Sequence, residues 1–252
     1  MTLPRRVSAE TLDGLAETDP AAMRSRRDLQ RIHRVMGTRG MVLSAFSKLA
    51  ASHAHGQPLR ILELGAGDGS LMLGVAQALG KHAPPVELTL LDRQELVSRA
   101  TLESYAGAGW RAEVMVCDIH DWSASPAAPS TGEAAGHWDL IVCNLFLHHF
   151  EGPQLHALLA AIESRCDRFF ACEPRRARLA LAASHLVGLI GANAVTREDA
   201  VLSVHAGFCG KELTQIWPQA TSRWRVEEYS AGLFSHCFSA ERCDPERACK
   251  VA

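Results

Sequence analysis

No stretch of the 252-residue chain approaches the roughly 20 apolar residues that a membrane-spanning helix requires, and its greasiest segment, 178–192, is too short and interrupted. No apolar run separates Arg5 and Arg6 from Asp13 and Glu17, so no secretory signal and a cytoplasmic location are expected. A large charge of one sign is also missing. The formal net charge of -2 offers nucleic acid or an anionic membrane no global attraction, although a local basic patch could still act. Aromatic residues do not interleave the arginines of the N-terminal third, which removes the stacking platform of a single-strand nucleic-acid binder. Paired C-x-x-C spacing is lacking among the eight cysteines. Cys117, Cys143 and Cys172 end apolar runs, as small core residues do, and the tail set Cys237, Cys243, Cys249 with His236 has no metal-finger spacing. Neither a disulfide framework nor a metal centre is expected.

What is present is an ordinary soluble composition, 47% hydrophobic and 21% charged, in a length that suits one α/β domain with a large core. The organising stretch is Ile61 to Ser70. An apolar run from Leu59 to Leu64 is short enough for a buried parallel strand, and Gly65-Ala66-Gly67-Asp68-Gly69 allows a tight turn and close backbone approach to a ligand. A helix is predicted over 70–79, with its N-terminal amides facing the turn. The dinucleotide fingerprint G-x-G-x-x-G would need a glycine where Ser70 stands.

The series Glu63, Gly65, Gly67, Gly69 resembles, without gaps, the first motif of class I S-adenosylmethionine (SAM) methyltransferases. Later strands supply further parts. A second strand, 86–92, ends in Asp92, placed to accept hydrogen bonds from a ribose. A third, 112–119, ends in Asp118 and Ile119, which match the family's adenine-holding pair. A fourth, 138–144, leads into Leu145-Phe146-Leu147-His148-His149-Phe150, and Asp139, Leu147, His148 and His149 are similar to the small-molecule group that includes ubiquinone and menaquinone methyltransferases. The resemblance implies SAM as cofactor, held by Glu63, Gly65, Ala66, Gly67, Asp92, Arg93, Asp118, Ile119, Asn144 and Leu145. It also implies a Rossmann-like, mostly parallel seven-stranded sheet of order 3-2-1-4-5-7-6 with helices on both faces.

His148 or His149 is the expected catalytic group, because imidazole titrates near neutral pH and can take a hydroxyl proton, unless one merely caps or packs in the following turn. Glu173, ending a fifth strand over 168–174, could orient a histidine or meet the acceptor. His205 is a reserve. Residues 175–218 exceed a minimal crossover and are expected to cap the substrate, with 178–192 as a buried helix or greasy lid. Asp19-Pro20 starts a helix that Gly37 ends, and a second helix is expected from Met41 to about Ala54, so 1–55 reads as a helical extension and 56–252 as the SAM-binding domain. Arg24, Arg26, Arg27, Arg31, Arg34 and Arg39 read first as a solvated face, and otherwise place Arg34 or Arg39 near a carboxylate of cofactor or substrate. The stretch 125–136 reads as an exposed loop, and 223–229 with 233–240 as a terminal hairpin.

The expected activity is methyl transfer to a small, largely apolar acceptor, phenolic, quinone-like or polyketide. O-methylation is slightly favoured over C-methylation, and N-methylation is disfavoured because Cys143-Asn144-Leu145-Phe146 is no Asn-Pro-Pro-Tyr-like turn. Two alternatives stand beside it: a nicotinamide-dependent reductase, which would give Asp118 and Ile119 no role, and a SAM-binding protein without catalysis.

Overall fold

The computed structural model describes residues 3–52, 57–80, 84–125, 136–218 and 224–243. The loop expected over 125–136 lies almost wholly outside the described residues, as does Cys249. Seven strands form one sheet: β1 (Leu59–Leu64), β2 (Val86–Asp92), β3 (Trp110–Val116), β4 (Leu140–Asn144), β5 (Arg168–Pro174), β6 (Trp224–Ala231) and β7 (Ser235–Arg242). Their order is β3-β2-β1-β4-β5-β7-β6, parallel except for β7, which runs antiparallel to both β5 and β6.

Both faces of the sheet are covered, so the central strands are buried on both sides and read as continuous apolar runs. Leu59 and Ile61 face α3 (Thr38–Ser52), α4 (Ser70–Leu79) and α5 (Arg99–Gly107), meeting Phe46, Met72 and Tyr105. Leu62 and Leu64 face the other side, where α6 (Ile119–Ala124), α7 (Gly152–Glu163) and α10 (Glu212–Ile216) contribute Trp122, Leu159 and Leu213. Each such side chain, once buried, stabilises the fold by about 1.5–3 kcal/mol. Cys143, Cys172 and Cys237 are buried in these layers as free thiols. His236 pairs with Glu228 (2.8 Å) inside the sheet edge instead of joining a cysteine set.

The remaining elements lie over the carboxyl ends of the strands: α1 (Thr11–Gly14), α2 (Pro20–Met36), α8 (Arg178–Ser184) and α9 (Ala194–Ala206). Asp19 caps α2 by accepting from the amides of Ala21 and Ala22, and Gly37 ends it at φ +71°. The next helix begins at once, at Thr38 and not at Met41. A buried polar seam joins α2 to α9, in which Ser25 and Thr196 share a hydrogen bond (2.8 Å) and Asp28 accepts from the Asn193 amide (2.8 Å). The apolar segment 178–192 is not one continuous buried helix. It breaks at His185 into α8 and a 3-10 turn, Val187–Ile190, and leaves Leu186 and Leu189 exposed.

Candidate active site

The sheet order reverses between β1 and β4, and this is where a doubly wound sheet opens a crevice beyond its strand ends. The turn after β1 forms its floor. Gly65, Gly67 and Gly69 all have positive φ, at +67°, +55° and +72°, and a Cβ on Gly65 would lie 2.4 Å from the Phe146 ring. Asp92 at the tip of β2 fastens this turn, accepting from the Gly67 amide (2.8 Å) through one oxygen and from the Gln94 amide (3.0 Å) through the other. The crevice, about 210 Å³, is lined from this side by Glu63, Gly65, Ala66, Gly67, Asp92 and Arg93. Asn144, Leu145, His148 and His149 line it from the end of β4.

Two buried polar atoms in the crevice have no partner, Glu63 Oε2 and Asn144 Oδ1. Burial, reinforced by Asp68 and Asp92, pushes the Glu63 carboxyl well above its usual range. Such a site favours a ligand that brings cationic or hydrogen-donating groups. His33 of α2 also lines it, and burial lowers its imidazole to about 4, so it is neutral. Its Nε2 lies 3.3 Å from the Asn144 amide nitrogen.

The turn after β4 is shaped by Leu145, whose φ of +51° is the only positive value at a non-glycine among the described residues. That reversal points the amides of Phe146 (3.1 Å), Leu147 (2.9 Å) and His148 (3.3 Å) at the carboxylate of Glu173 on β5. Glu173 is fully buried and also holds His148 Nδ1 at 2.8 Å. The other ring nitrogen, Nε2, meets Glu10 at 3.2 Å. Burial alone would lower the His148 imidazole, but the hydrogen bonds that it donates to Glu10 and Glu173, with their negative charges, outweigh it and raise the value to about 9. His148 is therefore an imidazolium at neutral pH. His149 packs against it with ring centroids 4.3 Å apart and the planes tilted by 34°, lies nearer to solvent, and sets its Nδ1 3.2 Å from Asp13.

Glu10 and Asp13 belong to an N-terminal strap, residues 3–18, which falls within the expected helical extension 1–55 but is helical only at Thr11–Gly14. Arg5 fastens it, donating to the carbonyls of Ala206 and Phe150 (both 2.8 Å) and lying over the Phe208 ring. Asp199 on α9 accepts from the Thr11 (2.8 Å) and Leu12 (3.0 Å) amides, and Ser203 donates to Glu10. A low-complexity of signal hid these residues: acids and arginines scattered over 18 positions have no period, and only the fold brings them to the histidines.

A second cavity of about 240 Å³ adjoins the crevice. Leu29, Ile32 and Met36 of α2, Ala183 of α8, and Val187 and Ile190 of the 3-10 turn make it apolar. Glu10, Leu12, Leu29, Leu145 and Ser203 line both spaces, so the two compartments meet beside the histidines.

Asp118, Ile119, Glu173 and His205 do not line the crevice. Asp118 falls beyond the end of β3 and caps α6, accepting from the His120 amide (2.7 Å), while Ile119 packs towards Phe150 and Leu158; neither lines the crevice. Glu173 is turned inward with its oxygens engaged, so it orients His148 and does not face an acceptor. His205 lies two positions, about 200° of helical rotation, beyond Ser203 and lines neither space. Arg93 lines the crevice but pairs with Asp13 (3.4 Å). Arg34 is exposed and Arg39 lies against Gly74 of α4, away from the crevice lining. Glu10, His148 and His149 offer ligand-type atoms within 4.8 Å of one another, a grouping already explained by the ion pair between Glu10 and His148.

A family described as a methyltransferase domain matches residues 61–166. Comparison with curated proteins finds no match. Among solved structures, the plantazolicin methyltransferase BpumL, in complex with S-adenosylhomocysteine (SAH), is similar at TM-score 0.60 and 13% identity, over 89% of this chain and 91% of that one. An O-methyltransferase family protein from Burkholderia thailandensis is similar at TM-score 0.54 and 13% identity, over 89% and 62%. The magnesium protoporphyrin IX methyltransferase of Synechocystis PCC 6803 has TM-score 0.50 and 17% identity, over 92% and 90%. At these identities the structural likeness establishes the fold, and the strand order is the one that the family resemblance implied.

Proposed function

We propose that this chain, whose residues 61–166 match a methyltransferase-domain family, moves a methyl group from SAM to a small, largely apolar acceptor, with a phenolic, quinone-like or polyketide hydroxyl favoured over a carbon. The observation that carries this reading is the junction of two compartments, one polar and built on the glycine turn, the other apolar, meeting at Leu145 and Ser203 beside His148 and His149.

When bound, SAM supplies an activated methyl carbon on a sulfonium. Glu63, with its unpartnered oxygen, and Asp92, at the tip of β2, are the groups assigned to hold it, together with the backbone of Gly65, Ala66 and Gly67 and the side chain of Asn144. His148, Glu10 and Glu173 together carry one net negative charge when His148 is protonated, which favours a cation in the crevice.

His149 is the proposed base. The Asp13 carboxylate, 3.2 Å from its Nδ1, favours the tautomer with the proton on that nitrogen and so leaves Nε2 as the acceptor for a hydroxyl proton, whereas His148 has both nitrogens engaged and already carries its proton. The apolar cavity holds the rest of the acceptor and excludes water from the junction.

Two measurements test the proposal. SAM or SAH at about 100 times its dissociation constant should stabilise the protein by about 2.7 kcal/mol, and NADPH should leave the melting temperature unchanged. Radiolabelled methyl transfer to a panel of alkyl phenols and quinols should follow. Stabilisation by NADPH alone, or tight SAM binding with no transfer to any acceptor, would overturn it.

A further inference from the structure

The apolar cavity opens through a rim of aliphatic side chains that remain in water. Val35, Leu186 and Ile190 line the cavity and yet are 69%, 58% and 46% exposed. Leu189, at 83%, stands beside them, with Leu179 of α8 also exposed. The nine large exposed apolar side chains among the described residues thus include six on α2 and the 178–190 segment, a concentration that a water-facing surface does not explain.

The same rim carries cations. Arg24, Arg27, Arg31 and Arg34 of α2 are exposed, and at 100° per residue they fall within roughly 80° of one another, with Val35 at their edge. The sole acid of α2 is Asp28, which is buried and paired with Arg31 at 3.1 Å. Arg31 also donates to the Ile190 carbonyl (3.3 Å), so the basic stripe and the aliphatic rim form one continuous surface.

We propose that this surface docks on an anionic lipid bilayer, and that the apolar acceptor passes from the bilayer into the cavity without crossing water. The proposal rests on reading the cavity as the acceptor site. Guanidinium groups match phosphate oxygens in pairs, and exposed aliphatic residues next to a basic stripe are the composition of an interfacial helix. A protein partner would fit less well, since the exposed rim holds no aromatic anchor of the kind that dominates protein interfaces.

The test is flotation of the full chain with vesicles of phosphatidylcholine alone and of phosphatidylcholine mixed equally with phosphatidylglycerol, at low and high salt. Binding should require phosphatidylglycerol and weaken with salt. Leu189→Ser, and separately Arg27→Glu with Arg34→Glu, should each reduce it, the double charge reversal by roughly tenfold or more. None of these three residues lines the cavity or the crevice, so transfer to a water-soluble acceptor should be unchanged. Absence of vesicle binding, equal binding to both lipid mixtures, or binding to soluble polyglutamate in place of vesicles would overturn the proposal. A dimer in sedimentation velocity that Leu189→Ser dissolves, with no vesicle binding, would overturn it in favour of a second copy. Failure of SAM binding and methyl transfer alongside intact vesicle binding would instead remove the proposed function.

Discussion

Gly65 and the two adjacent histidines show how single residues set the chemistry of this site. A methyl group on Gly65 would collide with the Phe146 ring at 2.4 Å and would also hold a φ of +67° against its preference. Gly65→Ala should therefore cost stability on the order of 1–3 kcal/mol and weaken SAM binding, both readable by thermal unfolding with and without cofactor. The histidines separate by their partners. His149→Ala should lower kcat by roughly a hundredfold or more while leaving the SAM dissociation constant within a few-fold, since it removes only the proposed proton acceptor. His148→Ala leaves the buried Glu173 and the partly buried Glu10 carboxylates without the cation between them, and the main loss should be folding stability, about 3–5 kcal/mol. If His148→Ala were as stable as the parent and only kcat fell, the assignment of the two roles would reverse. The motif Leu147-His148-His149 was legible in the sequence; the choice between its histidines was not, because it depends on Glu10 and Asp13, more than 130 positions away.

At the scale of elements, the N-terminal strap and the turn after β4 act on each other through the Glu10 and His148 pair. Glu10 is held below its usual range, since the hydrogen bond and charge of His148 outweigh the opposing effect of burial. His148 is raised to about 9, so its contribution is fully present below its unfolded value near 6.5 and is lost as the pH rises through 9. That contribution is on the order of 3 kcal/mol. Stability should accordingly decline between about pH 7 and 9.5, and Glu10→Gln should flatten this decline, as urea midpoints across that range would show. A midpoint that rises with pH over the same interval would contradict the pairing. The helix caps of the same region were readable in advance. Asp19 before Pro20, and Gly37 after Met36, are local signals whose geometry the structure repeats, and Asp19→Ala should cost about 1 kcal/mol. The segment 178–192 was not readable in this way, since an apolar run gives the same pattern whether it is buried or lies at a rim.

For the whole molecule, the strand order places β1 and β4 side by side, and everything that contacts the proposed cofactor and acceptor stands above that junction. Removing residues 1–18 should leave the sheet folded, because its core clusters draw on residues from Met41 onwards. It should nevertheless abolish turnover by removing Asp13 and Glu10 together, a result checked by far-ultraviolet dichroism beside a transfer assay. Retained turnover would take the strap out of the mechanism.

The sequence by itself determined what depends on near neighbours. Alternation of apolar runs with helical periods, the glycine turn after Glu63, and an acid at the tip of β2 are each local, and together they imply a doubly wound sheet with a crevice at its carboxyl edge, while the strand order came from the family resemblance that these motifs carry. Tertiary structure alone decided what depends on residues far apart in the chain: the strap that brings Glu10 and Asp13 to the histidines, the inward turn of Glu173, the placing of Asp118 as a helix cap, and the aliphatic rim beside the arginines of α2. The physical reason is the same in each case. A side chain's protonation, partner and exposure are fixed by the groups packed around it, and those groups are chosen by the fold and not by adjacency in sequence.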